Sequence, residues 1–242
     1  VNAGFGNPLI VFFIGVLFLS TGFTRSGLGT RMVLHVLRLS GTRTDRVLLG
    51  FITAGALLSM WITDMAVAAV MLPLGVGVLK DAGLKPLRSN YGRALMISCA
   101  YGPLIGGIGT PAGTAANLIA LSYLEELAGV SISFGQWMLM GVPAAMLMIP
   151  AGWWLLLRLF PPEIDRLPFD RSEIDRKLAA LGTLKPVERK TLSIFALTIT
   201  GWLVTPFLAD LTGGRVDPPV QAVALFGGLT LFLPTIRVMT WK

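Results

Sequence analysis

Asp64 is the only acidic side chain within the apolar stretches of this 242-residue chain. It lies in Leu57-Leu58-Ser59-Met60-Trp61-Ile62-Thr63-Asp64-Met65-Ala66-Val67-Ala68-Ala69-Val70-Met71-Leu72-Pro73, and nothing else ionisable occurs between Arg46 and Lys80. A carboxyl near mid-bilayer costs about 2.5–3.5 kcal/mol on insertion scales, so such a group reads as part of an ion or solute pathway. A second polar constellation, Gly106-Gly107-Ile108-Gly109-Thr110-Pro111-Ala112-Gly113-Thr114, interrupts another apolar run. Hydroxyls of Ser59, Thr63, Thr110 or Thr114, together with carbonyls freed by unwinding, are hard oxygens suited to Na⁺. Helix N-termini starting near Ala66 and near Thr114 suit a carboxylate or sulfate. A site that pairs the two ions lowers the desolvation cost of both, which is the electrostatic logic of cation-coupled anion uptake.

Each of these residues also has a structural reading. Asp64 precedes a helical run expected from about Ala66 and suits an N-cap. Glycines let apolar helices pack closely, so Gly102-Pro103 and Gly106-Gly107 read as packing positions. Gly109-Thr110-Pro111 and Gly113-Thr114 read as unwound backbone. Trp61 either lines the site or packs beside it. His35, the only histidine, sits on a basic amphipathic stretch and reads as interfacial. The single cysteine, Cys99, suggests neither a disulfide nor a metal cluster. The apolar runs hold no Ser/Lys or Ser/His pair, no paired carboxylates and no His-rich metal set, so the chain does not read as an intramembrane enzyme.

The elements that position these residues follow from composition. Hydrophobic residues make up 54% and charged residues 14% of the chain, which describes a membrane protein rather than a soluble domain. Spans are expected at Pro8–Thr24, about 135–157, 192–209 and 220–234, with a basic amphipathic helix from Gly27 to Ser40 lying in the interface plane. If the loops at 25–46, 80–93, 158–190 and 237–242 face the cytoplasm, they hold every Lys and Arg except Arg215. That is the positive-inside pattern of a multi-pass inner-membrane protein with basic loops cytoplasmic. It explains the net charge of +7 without nucleic acid.

With that topology, 47–79 must leave and return to the same side. Split at Asp64, its arms of about 16 residues are about 24 Å long, short of a ~30 Å core. A re-entrant helical hairpin with Thr63, Asp64 and Met65 at its tip fits. The run 93–124 must cross once with about 32 residues, which fits a helix broken at the Gly/Pro cluster. Irregular backbone at membrane depth survives where it lines a cavity, and paired interrupted segments mark transporter sites. The expected fold class is an all-α polytopic membrane protein of about five full spans, a re-entrant hairpin and a broken transmembrane helix.

Ser59-Met60-Trp61-Ile62-Thr63-Asp64-Met65, running on to Leu72-Pro73, resembles the first hairpin of the divalent-anion:sodium symporters, which reads Ser-Met-Trp-Ile-Ser-Asn-Thr. Gly106 to Asn117 resembles the same family's broken helix, with its Gly-Thr-x-x-Asn ending. The order of elements matches over essentially the whole chain. The resemblance implies two inverted repeats, of which this chain holds one and the start of a second, so that it is the N-terminal portion of a longer transporter or a piece of a split one. It implies a scaffold (1–43), a transport domain with hairpin and broken helix (44–125), a span (126–157), a basic cytoplasmic loop (158–190) and two spans opening the second repeat (191–242). It further implies a homodimer through scaffold helices and an elevator-like movement of the transport domain. The implied activity is Na⁺-coupled symport of a dicarboxylate, citrate or sulfate.

By position, the resemblance assigns Ser59, Thr63, Asp64 and Gly113 to a sodium site, and Thr63, Asp64, Met65 and Thr114 to the anion. Three departures stand out. Thr63 keeps the hydroxyl of Ser, Asp64 adds a charge where the family has Asn, and Met65 lacks the hydroxyl of Thr. Asp64 therefore leaves H⁺ open as the coupling ion, and a cation/proton antiporter or arsenite-type permease of the same superfamily open as the activity. A non-transporting membrane scaffold subunit is the remaining alternative.

Overall fold

The structure is a computed structural model that describes residues 8–85, 88–168, 171–212 and 219–240, the side chains of 171, 173 and 206–212 aside. Among the described residues it is helical: α1 (Pro8–Ser26), α2 (Leu28–Ser40), α3 (Thr44–Ser59), α4 (Asp64–Asp81), α5 (Asn90–Gly107), α6 (Ala115–Ala128), α7 (Phe134–Leu159), α8 (Arg171–Leu181), α9 (Pro186–Thr212) and α10 (Val220–Thr230). Among them, α1 and α7 are single helices long and apolar enough to cross a membrane. Most of α7 is open to its surroundings, with Leu139, Met140, Met146, Leu147 and Trp154 exposed. A helix that apolar with so little burial calls for a lipid environment.

The segments expected to form the hairpin and the broken helix are each two helices joined by a short irregular stretch. Arms α3 and α4 have 16 and 18 residues, and α5 and α6 are parted by the seven residues Ile108–Thr114. The turn of the hairpin is Met60–Thr63, so Asp64 and Met65 belong to the first turn of α4 rather than to the tip. The helix thus begins two residues before Ala66, because Thr63 is extended at ψ 139° and already serves as N-cap.

Helix α5 holds the hairpin together by packing against both arms, most extensively against α3. Small residues make this possible. A Cβ on Gly102 would lie 2.8 Å from the Ile52 carbonyl, one on Gly55 would lie 2.7 Å from Pro103 Cδ, and one on Gly106 would overlap the Ala56 carbonyl. Gly102 and Gly106 are one turn apart on one face, so the backbones of α3 and α5 touch along it. Ser89 caps α5 by accepting from Gly92 N at 3.0 Å, and a Ser133/Gln136 capping box starts α7. Helix α1 packs against α10 and α9.

Three expectations change. The span at 220–234 is helical only to Thr230. The ring of Pro234 would meet the carbonyl four residues back, at Thr230, and the chain instead folds over, Met239 N donating to Leu231 O at 3.0 Å. The charged stretch 158–190 is more than a connector, since it contains α8 and the first turn of α9. Helix α2 has a protein partner beneath it. Arg31 is buried, its Nε 2.9 Å from Glu188 Oε1 and its Nη2 3.0 Å from Oε2, with Nη1 donating to Gly182 O at 2.8 Å. Arg38 pairs with Asp175 on α8 at 2.7 Å.

The connector also ties down the bases of α3 and α5. Thr44 N donates to Asp165 O at 3.1 Å and Leu167 N to Thr42 O at 2.9 Å. The Glu163 carboxylate accepts from Asn90 N and from Tyr91 N. Partial burial pushes the Glu163 carboxyl up, but the amides of Asn90, Tyr91 and Glu163 itself, with the Arg93 charge, together hold it below the usual range.

Candidate functional site

The hairpin turn and the helix break meet. Thr110 lies buried in the break and its hydroxyl donates to Met60 O in the turn, while also accepting from Ala112 N at 3.2 Å. Asp64 N donates to Gly113 O at 3.3 Å. Thr110 therefore couples the two irregular segments, which the sequence had offered only as one of four possible oxygen donors.

Ser59, the last residue of α3, is 0% exposed, and its hydroxyl oxygen finds no hydrogen-bond partner among the described residues. Leaving a buried hydroxyl unpaired costs about 1–3 kcal/mol, so an orphan here is informative. The surrounding atoms are oxygen-rich. A Cβ built on Gly113 would lie 2.5 Å from Gly107 O and 2.6 Å from Ser59 O, and one on Gly107 would lie 3.6 Å from Ser59 Oγ and 3.6 Å from Gly113 O. The carbonyls of Ser59, Gly107 and Gly113 and the Ser59 hydroxyl thus border one locus. All are neutral, hard oxygens, the donor set of an alkali cation. The donors fit Na⁺, and no group of three or more His, Cys, Asp or Glu suited to a metal occurs among the described residues.

The other expected residues divide. Thr63 and Asp64 lie half-buried beside this locus, and so does Thr114, its Cβ 3.7 Å from the position a Gly107 Cβ would take. Neither N-cap, Thr63 before α4 nor Thr114 before α6, caps its helix with its side chain. At α4 the amide of Met65 is taken by Asp64 itself, at 2.8 Å. Asp64 therefore supplies an internal anion at a helix N-terminus, which is the electrostatically favoured end for it. The Met65 side chain is 83% exposed and is not gathered into the locus. Trp61 packs against the hydrophobic core.

Four further residues of the site, two of them (Gly107 and Asn117) within the motif of the broken helix, were given no site role by the sequence. Gly107 contributes its carbonyl from what reads as a packing pair. Asn117 Nδ2 donates to Gly107 O at 2.7 Å and to Thr110 O at 2.8 Å, stapling the two ends of the break. An amide buried in an apolar run was a visible signal for it. Ser20 on α1 meets the Thr63 hydroxyl at 3.2 Å, and Trp137 on α7 donates to Ile108 O at 3.0 Å. Neither has a spacing that points to the site, because both come from helices distant in sequence.

Comparison with known proteins identifies the family of the chain. The family model described as "Sodium:sulfate symporter transmembrane region" matches residues 1–242. The chain is similar to the sodium-dependent dicarboxylate transporter SdcS of Staphylococcus saprophyticus, 32% identical over 241 residues, 96% of this chain and 46% of the relative. It is also similar to the SdcS protein of Staphylococcus aureus strain USA300, 31% identical over 245 residues with the same shares covered. The chain thus spans about half the length of these relatives, aligning with their N-terminal half. With a full-length family match and a paired hairpin and broken helix in one fold, the chain belongs to the sodium:sulfate symporter family.

Proposed function

We propose that the protein is a secondary active transporter that carries a small anion (a dicarboxylate, citrate or sulfate) together with Na⁺ across the inner membrane. The observation that carries this reading is the buried, unpartnered Ser59 hydroxyl beside Gly107, where the Gly113 carbonyl also comes close. In this reading Ser59, Gly107 and Gly113 hold the cation through oxygen donors, with Asp64 and the Thr63 hydroxyl beside it. Thr63, Asp64 and Thr114 face the anion at the N-termini of α4 and α6, with Met65 at the outer edge. The names of the relatives, sodium-dependent dicarboxylate transporters, support the choice of ion and substrate class.

The helices then divide as the resemblance implies. The hairpin α3–α4 is re-entrant, α5–α6 is one broken crossing, and α1, α7, α9 and α10 with its following turns are spans. The basic loops lie in the cytoplasm. Scaffold helices including α1 join two copies, and the unit carrying the site moves as an elevator. In the test, full-length protein in proteoliposomes takes up labelled succinate and sulfate under an inward Na⁺ gradient. Uptake of either that requires Na⁺ and is lost in Ser59→Ala supports the reading. Uptake indifferent to Na⁺ refutes it.

One observation favours a second reading, cation/proton exchange. The Asp64 carboxylate already occupies the Met65 amide at the start of α4, where the symport reading places the anion. Asp64→Asn separates the two, since symport keeps anion uptake and exchange loses its carrier.

A further inference from the structure

We infer that Trp137, on α7, is a positioning residue that sets the geometry of the cation pocket without touching it. The inference rests on the reading of Ser59, Gly107 and Gly113 as cation ligands. Where α5 stops, its last carbonyls lose their helical partners and need others. Gly107 O is taken by Asn117, and the next carbonyl, Ile108 O, by the indole N–H of Trp137 at 3.0 Å. An indole only donates, so this bond has one direction and needs the ring in one place.

A second observation on α7 concerns the same carbonyl. Gly141, one turn beyond Trp137 on the same helix face, would with a Cβ lie 2.6 Å from Ile108 O and 2.9 Å from Gly109 O. The α7 backbone therefore abuts the break at the point that Trp137 holds. Together they lock the peptide plane between Ile108 and Gly109, one Cα away from the Gly107 carbonyl that borders the pocket. Without the bond that plane keeps one tether, Gly109 N on Gly106 O at 2.8 Å, about which it tilts at the flexible Gly109, and the adjoining Gly107 carbonyl shifts with it. The other tryptophans of α7 have different duties. Trp153 donates to Asp45 O at 2.8 Å, and Trp154 is exposed.

The test uses full-length protein in detergent, with Na⁺ titrated against choline and the unfolding temperature followed. Trp137→Phe keeps the ring and removes the donor, and Gly141→Ala keeps the donor and pushes on the carbonyl. Both are expected to raise the half-maximal Na⁺ concentration about five- to tenfold and to change the ratio of Na⁺ to Li⁺ response, while Trp154→Phe leaves both as in the wild type. A purely structural role would lower the unfolding temperature without Na⁺ and leave the half-maximal concentration in place. A half-maximal concentration within twofold of the wild type in both variants overturns the inference, and Gly141→Ala alone decides it if Trp137→Phe does not fold. A wild type that is itself indifferent to Na⁺ overturns the pocket and this inference together, and only that outcome leaves the wild-type titration flat.

Discussion

Gly113→Ala is the sharpest perturbation of the site. The added methyl would sit 2.5 Å from Gly107 O, 2.6 Å from Ser59 O and 2.8 Å from Gly107 Cα, all backbone atoms. Ordinary contact requires Gly113 to move roughly 1 Å away from both Gly107, across the break, and Ser59, at the end of α3. No rotamer change relieves this, because none of the three atoms belongs to a side chain. Overpacking of this kind costs about 1–3 kcal/mol, and a site tolerates displacements of about 0.5 Å. Gly77→Ala on α4 is the matched control, since nothing lies within 4 Å of its methyl. In proteoliposomes, Gly113→Ala is expected to reduce Na⁺-driven anion uptake to background, with unfolding in detergent about 2–12 °C earlier. Gly77→Ala should keep most of its uptake and unfold within a few degrees of the wild type. Equal Na⁺ dependence in the two alanine variants would show that the carbonyls of Ser59, Gly107 and Gly113 do not form the pocket.

Ser59→Ala should change sign with the ion. Without Na⁺ it removes a buried unpaired hydroxyl and raises the unfolding temperature slightly, by the equivalent of about 1 kcal/mol, whereas the stabilisation by added Na⁺ disappears; a wild-type response to Na⁺ in this variant would exclude Ser59 as a ligand. Arg31 and Glu188 form a buried pair with side chains 10% and 3% exposed, so Glu188→Ala strands a buried guanidinium and should cost about 3–5 kcal/mol. The double change Arg31→Met with Glu188→Leu should recover most of that loss, which a double-mutant cycle in thermal unfolding checks. Acid should weaken the same region. The Arg31 guanidinium holds the Glu188 carboxyl below its usual range, and, despite partial burial, the amides of Asn90, Tyr91 and Glu163 itself, with the Arg93 charge, do the same for Glu163. A lowered carboxyl contributes stability that is complete above its unfolded value, about pH 4.3, and is lost as pH falls through the lower folded value. Unfolding temperatures between pH 3 and 7 should therefore fall at the acid end and fall less in Glu188→Gln and Glu163→Gln.

Much of the architecture was legible in the sequence because it is local. Asp64 is isolated among apolar residues, and glycines and Pro111 crowd the interval between two helical runs. The helices on either side of these two places start and stop at residues that are neighbours in the chain. The hairpin turn shifted by a few residues, since Thr63 takes the extended N-cap conformation that starts α4 at Asp64. Helix α10 stops early, at Thr230, four residues before Pro234, whose ring bars a helix through that point.

By itself, the sequence determined that apolar helices are interrupted at two polar places, since periodicity, proline and glycine act on their own neighbours along the chain. Only the tertiary structure decided that the two places meet, through Thr110 on Met60 O and Asp64 N on Gly113 O. It alone left Ser59 without a partner, brought Ser20 to Thr63, set Trp137 on the Ile108 carbonyl and turned Met65 outward. The reason is physical. The oxygens that matter are mostly backbone carbonyls, which every residue carries, so their identity is silent in the sequence and only the approach of one helix to another selects which of them converge.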